Sequence, residues 1–263
     1  MATVSVSNFS EFVSAVAVSG NTVNLPVKAV WDMNDEYPEG YTSDIPINCA
    51  VINGNGTEIK NLHLYGKFVV PADLEINDLF MTNVVCEDTV FFGHSSSART
   101  ITANGCIFTG IYGVNARYFN SSGMQLMRTT INIDMTTGRT DATFVDGAFT
   151  AKYCRLTMVY PNGAASVGFV CNDGDIQYCL VNITMLGATS LDCSMFSGCV
   201  ILGNYGEAYD SGNGGHGSQV SVYDVAAFDS EFEPESPLYF KGVTYSQLYD
   251  AAYLQSIGFP IGA

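Results

Sequence analysis

The sequence predicts an all-β protein built as a parallel β-solenoid, and three observations predict it. A short motif, called the repeated phrase below, recurs with a similar pattern of residue types along the 263-residue chain at steps of 17 to 28 residues. Each copy contains short alternating runs of Val, Ile, Phe, Thr and Tyr, bounded by glycine, asparagine or aspartate, as strands and turns require. Helical patterns are few. Because one such unit is too short to bury a core alone, the units must stack on one another.

The repeated phrase occurs seven times between residues 58 and 203, which predicts about seven coils. We align the copies on a central small residue: Asn61, Asp78, Cys106, Thr130, Cys154, Cys179 and Cys199. Equivalent positions of stacked coils lie about 4.8 Å apart, so the residues from Cys106 to Cys199 are predicted to form an interior ladder. Leucine-rich repeats share the period, but their LxxLxL signature and helical half are missing.

A second phrase, with phenylalanine and often glycine, lies between several copies of the first. It occurs at 89–93, 143–147, 167–174 and 193–198. Within these segments phenylalanine recurs at the spacing of the repeat, at Phe144, Phe169 and Phe196. The phenylalanines are therefore predicted to form a second interior ladder.

The beginning of the chain predicts a short helix that covers the open end of the solenoid. Asn8 with Glu11 three residues later resembles a capping box. An apolar helical face precedes Gly20, formed by Phe9, Phe12, Val13 and Val16. Since exposed strand edges invite association, a cap at this end is expected.

The end of the chain predicts a second capping helix. Thr244 with Gln247 repeats the capping device, Gly258 fits the position after a helix, and Pro260 prevents continuation. These elements predict four regions: an N-terminal cap and candidate anchor at 1–50, the β-helix at 51–203, a loop-rich excursion or last coil at 204–243, and a C-terminal capping helix and tail at 244–263.

Charge and hydropathy exclude several classes of function. The chain has 26 acidic and 10 basic side chains, a formal net charge of −16. Nonspecific nucleic-acid binding is excluded, because it needs clustered Lys and Arg. No apolar run reaches the roughly 18 residues of a membrane span. The start of the chain lacks the basic and apolar regions of a signal peptide, so we expect a soluble protein that is not exported by a cleaved signal.

Cysteine and histidine usage predicts neither a disulfide framework nor a metal site. The eight cysteines lie mostly in apolar or small-residue runs and form no CxxC pair, so we expect buried free thiols. His63, His94 and His216 are far apart in sequence and form no metal-binding motif. We expect no cofactor.

Aspartates beside glycine are the candidate catalytic residues. Hydrolysis of a glycosidic bond needs two carboxyl groups that face the substrate together. The candidates are Asp141, Asp146, Asp173, Asp175 and Asp192. Asp146 and Asp173 lie at comparable points of consecutive units, so hydrolysis through Asp146 with Asp173 or Asp175 is one interpretation. The other is ordinary turn chemistry. A lyase is disfavoured, because Lys241 is the only base after Arg155.

Tyrosines near the end of the chain are the candidate binding residues. Seven of fifteen tyrosines lie between residues 205 and 253. Tyrosine beside Gly, Ser, Asn and Asp makes an adaptable contact surface. The candidate surface consists of Tyr205, Tyr209, Asp210, His216 and Tyr223. Packing of the tyrosines against the C-terminal cap is the alternative, and His216 also reads as an ordinary exposed loop residue.

The short coils, the amphipathic N-terminal cap and the ending DAAYLQSIGFPIGA resemble pectin-lyase-like β-helix proteins, particularly noncatalytic ones encoded by bacteriophages and mobile elements of gut bacteria. The resemblance covers the repeat at about 50–203 and the ending. It implies a right-handed parallel β-helix used as a virion fibre, spike or decoration. The chain departs from the enzymatic relatives, because no matching carboxylate cluster or lyase base can be carried over.

On this resemblance we expect a noncatalytic virion protein, such as a head fibre, capsid decoration or tail accessory, assembled in the host cytoplasm. Its partners would be capsid or tail proteins, further copies of itself, with a trimer as one arrangement, and host surface glycans. A polysaccharide depolymerase is the first alternative. A bacterial surface adhesin is the second, and the absence of a recognisable signal peptide weighs against it.

Overall fold

In the computed structural model the chain winds into stacked parallel strands and forms a β-solenoid with few helices, as the sequence predicted. The structure describes residues 2–87, 90–93, 99–113, 117–134, 143–159, 174–177, 179–184, 195–197, 200–204, 220–223, 240–242 and 250–256.

The secondary-structure elements are short, and every strand pairing between them is parallel. The strands are β1 Thr3–Ser5, β2 Thr22–Asn24, β3 Val30–Asp32, β4 Ile45–Pro46, β5 Val51–Asn53, β6 Glu58–Lys60, β7 His63–Leu64, β8 Phe68–Val69, β9 Leu74–Asn77, β10 Phe80–Cys86, β11 Val90–Gly93, β12 Thr100–Asn104, β13 Ile107–Gly113, β14 Arg117–Met127, β15 Thr130–Asp134, β16 Thr143–Lys152, β17 Arg155–Val159, β18 Gly174–Gln177, β19 Leu180–Thr184, β20 Met195–Ser197, β21 Val200–Asn204, β22 Val220–Tyr223 and β23 Phe240–Gly242. The helices are α1 Phe9–Val16, α2 Met33–Glu36 and α3 Ala251–Ser256.

The strands stack into three faces of the solenoid. Face 1 contains β1, β2, β5, β9, β12, the second halves of β14 and β16, then β18 and β20. Face 2 contains β3, β6 with β7, β10, β13, β15, β17, β19, β21, β22 and β23. Face 3 contains β4, β8, β11 and the first halves of β14 and β16. From β5 to β16 the chain visits faces 1, 2 and 3 in that order in each coil.

The number of coils differs from the predicted seven. Face 2 alone stacks ten strands along its path, from β3 to β23. Strands β3 and β23 have three residues each, at Val30–Asp32 and Phe240–Gly242. The seven copies of the repeated phrase do not include β3, β22 or β23, so the pattern in the sequence missed coils at both ends of the stack.

The core lies inside the coils and consists of columns of in-register side chains. On face 1 the register stacks Ile52, Ile76, Ala103, Leu126 and Ala151, all buried. Face 2 contributes a parallel column of larger buried side chains: Trp31, Ile59, Met81, Phe108, Ile131 and Leu156. Burial of each large apolar side chain is worth about 1.5–3 kcal/mol, so each added coil extends the same hydrophobic core.

The N-terminal cap forms as predicted, with one change. The Asn8 side chain accepts a hydrogen bond from the backbone N–H of Glu11 at 2.9 Å, and helix α1 follows. The Glu11 carboxylate turns back to accept from the backbone N–H of Ser7 at 2.8 Å, one residue before the position of a usual capping box. Phe9, Phe12 and Val16 are buried as predicted, together with Ala15, whereas Val13 is only partly buried.

The C-terminal helix α3 covers the six residues Ala251–Ser256. Asp250 precedes it, and its carboxylate accepts a hydrogen bond from the backbone N–H of Ala252 at 2.8 Å. The predicted start at Thr244 and Gln247, and the predicted stop at Gly258 and Pro260, lie outside the described residues.

The small-residue ladder exists, but its predicted member Thr130 is replaced by the neighbouring Thr129. The buried residues are Thr57, Leu79, Cys106, Thr129, Cys154 and Cys179, which we call the turn column. Asp78 and Thr130 do not belong to it, and Asn61 lies farther along face 2. At Asp78 and Arg128 the backbone has a φ of 48° and 49°, in the left-handed region. This turn breaks the alternation, so the residue after it points inward. Cys199 lies outside the described residues.

The predicted phenylalanine ladder is wrong as a single column. Phe144 lies in the first half of β16 on face 3, whereas Phe196 pairs with Ile176 on face 1. Phe169 lies outside the described residues. A different phenylalanine stack fills face 3, where Phe68 and Phe92 lie parallel with ring centroids 4.5 Å apart. The sequence spacing could not separate faces 1 and 3, because both recur once in each coil.

Candidate functional site

Polar side chains at the outer edge of face 1 form an asparagine ladder. The register places Asn24, Asn53, Asn77 and Asn104 at equivalent positions of four consecutive strands. Asn53 donates to the side-chain oxygen of Asn24 at 2.8 Å, and Asn77 donates to that of Asn53 at 3.2 Å. Arg128, from the coil above, donates to Asn104 at 3.1 Å. This ladder was not predicted from the sequence, although an asparagine before each turn, at a spacing close to the repeat, indicates it.

A second polar ladder lies on face 2. Asn61 donates to the carboxylate of Asp32 at 2.8 Å, and Asn83 donates to Asn61 at 2.6 Å. Lys60 forms an ion pair with Asp32 at 3.0 Å. The hydrogen bond from Asn61, together with Lys60, lowers the pKa of Asp32, and Asp32 in turn raises the pKa of Lys60. Both ladders tie successive coils together at their outer surface.

His63 lies in an exposed cluster with Tyr65 and Glu87. Its ring stacks on Tyr65 with centroids 4.4 Å apart, and its Nε2 lies 3.1 Å from the Glu87 carboxylate. Tyr65 is 48% exposed, so one aromatic surface faces solvent. Among the described residues no group of three or more His, Cys, Asp or Glu side chains is placed to hold a metal ion.

A shallow groove of about 260 Å³ lies on the outer surface of face 1. Thr102, Gln125 and Thr150 line it from consecutive coils, because they are in register along β12, β14 and β16. Met127 and Lys152 line its edge. The groove therefore combines hydroxyl, amide and ammonium groups with the apolar residues Leu126, Met127 and Ala151.

The cysteines of the described residues are buried free thiols, as predicted: Cys49, Cys86, Cys106, Cys154 and Cys179. Burial raises the pKa of Cys49 and of Cys106 to about 12. Because the thiolate is the reactive form, neither is a nucleophile at neutral pH. Cys154 differs, since a hydrogen bond from the Cys179 side chain lowers its pKa.

The candidate catalytic aspartates are not brought together where the structure describes them. Asp146 lies on face 3 and pairs with Asn120, whereas Asp175 lies on face 1 and pairs with Thr150. Thr150 comes four residues after Asp146 in β16, so the two aspartate positions are separated by about 13 Å of strand. Asp141, Asp173 and Asp192 lie outside the described residues, and hydrolysis through Asp146 with Asp173 stays a prediction.

The candidate binding residues lie mostly outside the described part of the chain. Tyr223 ends β22 and pairs with Leu202 of the preceding coil. Tyr205, Tyr209, Asp210 and His216 fall in segments whose structure is not described. A binding surface at these positions therefore stays a prediction.

The described part of the chain thus defines a parallel β-solenoid with polar ladders on its outside and a thiol and hydroxyl column inside. None of its described helices is long and apolar enough to cross a membrane. The sequence matches no known family model, and comparison with curated proteins and with solved structures likewise finds no match.

Proposed function

We propose that the protein is a noncatalytic structural component of a virion, such as a head fibre, capsid decoration or tail accessory. The observation that supports this proposal most is the continuous parallel register of face 2, which stacks ten strands from Val30–Asp32 to Phe240–Gly242. At about 4.8 Å per coil this stack is about 43 Å long. An elongated body of this kind suits a protein that projects from a particle.

The side-chain ladders support a mechanical role for the protein. The asparagine ladder holds the outer edge of face 1, and the Asp32 ladder holds face 2, so consecutive coils are joined by side chains as well as by backbone hydrogen bonds. Each coil contacts its neighbours in register, and the energy of the stack grows with each added interface. Resistance to separation of the coils is what a fibre or decoration requires.

The resemblance to phage-encoded β-helix proteins supports a location in the virion. The stacked coils support a structural role in it. Residues 1–50 or the C-terminal cap would attach the protein to capsid or tail proteins. Further copies, arranged in a closed symmetric oligomer such as a trimer, would present the Tyr205–Tyr223 region to host glycans. Individually weak contacts add up when several copies are displayed together.

Mass spectrometry of purified particles tests the proposal. Particles purified from a lysate of the host should contain the protein in many copies, in proportion to another particle protein across gradient fractions. Labelling with an antibody to the chain should mark one location on each particle. Absence from the particles, or presence only in the soluble fraction of the lysate, would contradict the proposal.

A polysaccharide depolymerase is the second candidate function, and the groove on face 1 favours it. Thr102, Gln125, Thr150 and Lys152 present polar groups across three coils, as a bound glycan chain would require. Incubation with host capsule or wall polysaccharide should release no new reducing ends if the first proposal is right. Release by the native chain and its loss in Asp175→Asn, the candidate that pairs with Thr150 on face 1, would establish the depolymerase instead.

A further inference from the structure

Two thiols of the turn column face each other across consecutive coils. Cys154 and Cys179 are 2% and 0% exposed. The backbone N–H of Cys154 donates to the sulfur of Cys179 at 3.3 Å. The two side chains are also hydrogen bonded to each other. The sulfur of Cys179 therefore lies directly against the backbone of Cys154, one coil earlier.

The backbone geometry at this position suits a covalent bond between the sulfurs. Arg155 and Leu180, the next residues along the chain, are direct partners in the parallel pairing of β17 and β19. In-register residues of neighbouring strands lie about 4.8 Å apart. This spacing is within the range of about 4.4 to 6.8 Å between the Cα atoms of disulfide-bonded cysteines.

We propose that Cys154 and Cys179 form an oxidation site that closes into a disulfide between two consecutive coils, with hydrogen peroxide as the oxidant. The Cys154 thiolate attacks one peroxide oxygen, the O–O bond breaks, and water leaves once a proton is taken up, which gives a sulfenic acid. The Cys179 thiolate then attacks that sulfur, and the hydroxyl group leaves as water. In total two thiols and one peroxide give one disulfide and two waters.

The environment of Cys154 differs from that of the buried Cys106. The hydrogen bond that it receives from Cys179 lowers its pKa, so its thiolate is more populated than that of an isolated buried cysteine. Cys106 is the internal comparison. It occupies the equivalent position of an earlier coil, is also fully buried, and has a pKa raised to about 12 by burial. Its neighbours in the turn column are Leu79 and Thr129, so it has no sulfur to pair with among them.

The disulfide would act as a staple along the solenoid. It would tie β17 to β19 through a closed loop of 26 residues counted from Cys154 to Cys179. Cross-linking reduces the conformational freedom of the unfolded chain, so the oxidised protein should unfold at a higher temperature than the reduced protein. A reducing compartment would leave the site open, and an oxidising one would close it.

Peptide mapping of the full chain after treatment with peroxide tests the inference. The native protein should lose the mass of two hydrogen atoms, and a non-reducing digest should contain one peptide pair joining Cys154 to Cys179. Treatment with a thiol reductant should restore the mass of two hydrogen atoms and separate the cross-linked peptides. A stable sulfinic acid without a cross-link, or a bond from Cys179 to Cys199, would overturn the inference.

Three variants make the test specific. Cys179→Ser keeps a hydrogen-bond acceptor for the Cys154 N–H and should abolish the cross-link, while far-ultraviolet circular dichroism confirms folding. Cys106→Ser should leave the cross-link unchanged. Thr129→Cys places a third sulfur in the column and should create an additional cross-linked species to Cys106 or Cys154. In Cys106→Ser the oxidised protein should melt at a higher temperature than the reduced protein. A lower melting temperature after the disulfide has closed would contradict the stabilising effect.

Discussion

Thr129 places its hydroxyl oxygen 3.4 Å from the backbone nitrogen of Cys106, one coil earlier, and accepts a hydrogen bond from it. The same hydroxyl oxygen lies 3.2 Å from the carbonyl oxygen of Ala103 and 3.0 Å from that of Met127, either of which accepts its single hydrogen. Since a buried N–H without a partner costs free energy, the residue above it must supply an acceptor. Cys179 does the same for Cys154. This need explains why the turn column favours Cys and Thr over purely apolar residues.

We expect Thr129→Val to destabilise the protein by about 1–3 kcal/mol, because the Cys106 N–H then loses its acceptor in the core. Thr129→Ser keeps the hydroxyl and should cost less. Thr130→Val, on the outer side of face 2, is the matched control and should have a small effect. Urea denaturation followed by circular dichroism measures the three free energies of unfolding. Equal losses for Thr129→Val and Thr130→Val would show that the hydrogen bond is unimportant.

The sequence predicted the stacked coils because the alternation of apolar residues and the turn residues agree in each unit. It could not place every residue in the column, since the register depends on the left-handed turn at Asp78, Gly105 and Arg128. Glycine indicates such a turn because it adopts a positive φ readily. Aspartate does so only occasionally and arginine rarely, so neither identifies the turn in the sequence. The alignment on Asp78 and Thr130 was therefore shifted, while that on Cys106 was right.

The surface was harder to predict than the core. The asparagine ladder arises from the vertical contact of Asn53 with Asn24 and Asn77, which are 29 and 24 residues away. Such contacts are visible only after the register is known. In the same way, the sequence offered Asp175 as an alternative to Asp173 as the partner of Asp146, but the strand pairing puts Asp146 and Asp175 on different faces. A repeat period identifies a coil and does not identify a face.

We expect the asparagine ladder to be energetically coupled. Asn53→Ala removes both the donor to Asn24 and the acceptor for Asn77, so it should cost about 0.5–1.5 kcal/mol. The double variant with Asn77→Ala should cost less than the sum of the two single variants, because they share one hydrogen bond. A double-mutant cycle by urea denaturation measures the coupling free energy. Additive effects would mean that the ladder contact contributes nothing.

The phenylalanine stack on face 3 should contribute strongly to stability. Phe92 is 2% exposed and stacks on Phe68 at 4.5 Å, with the edge of Phe91 against it at 4.7 Å. Phe92→Ala should therefore cost about 3–5 kcal/mol through lost burial and the cavity that remains. Tyr65→Ala removes a half-exposed ring and is the matched aromatic control, with a much smaller expected loss. Thermal unfolding by calorimetry compares them, and similar losses would refute the assignment of face 3 to the core.

The N-terminal cap should weaken in acid through Glu11. The backbone N–H of Ser7, and then its hydroxyl, donate to the Glu11 carboxylate and lower the pKa of this group. A group whose pKa is lower in the folded state stabilises the fold above its unfolded pKa of about 4.3 and loses this contribution as the pH falls through the folded value.

Glu11→Gln should therefore have a lower melting temperature than the native chain at pH 7, with the difference shrinking as the pH falls from about 5 to 3. Glu39→Gln, an exposed change in the same region, should show no such convergence. Melting curves across this pH range measure the effect, and a constant gap between Glu11→Gln and the native chain would exclude the ionised carboxylate as its cause.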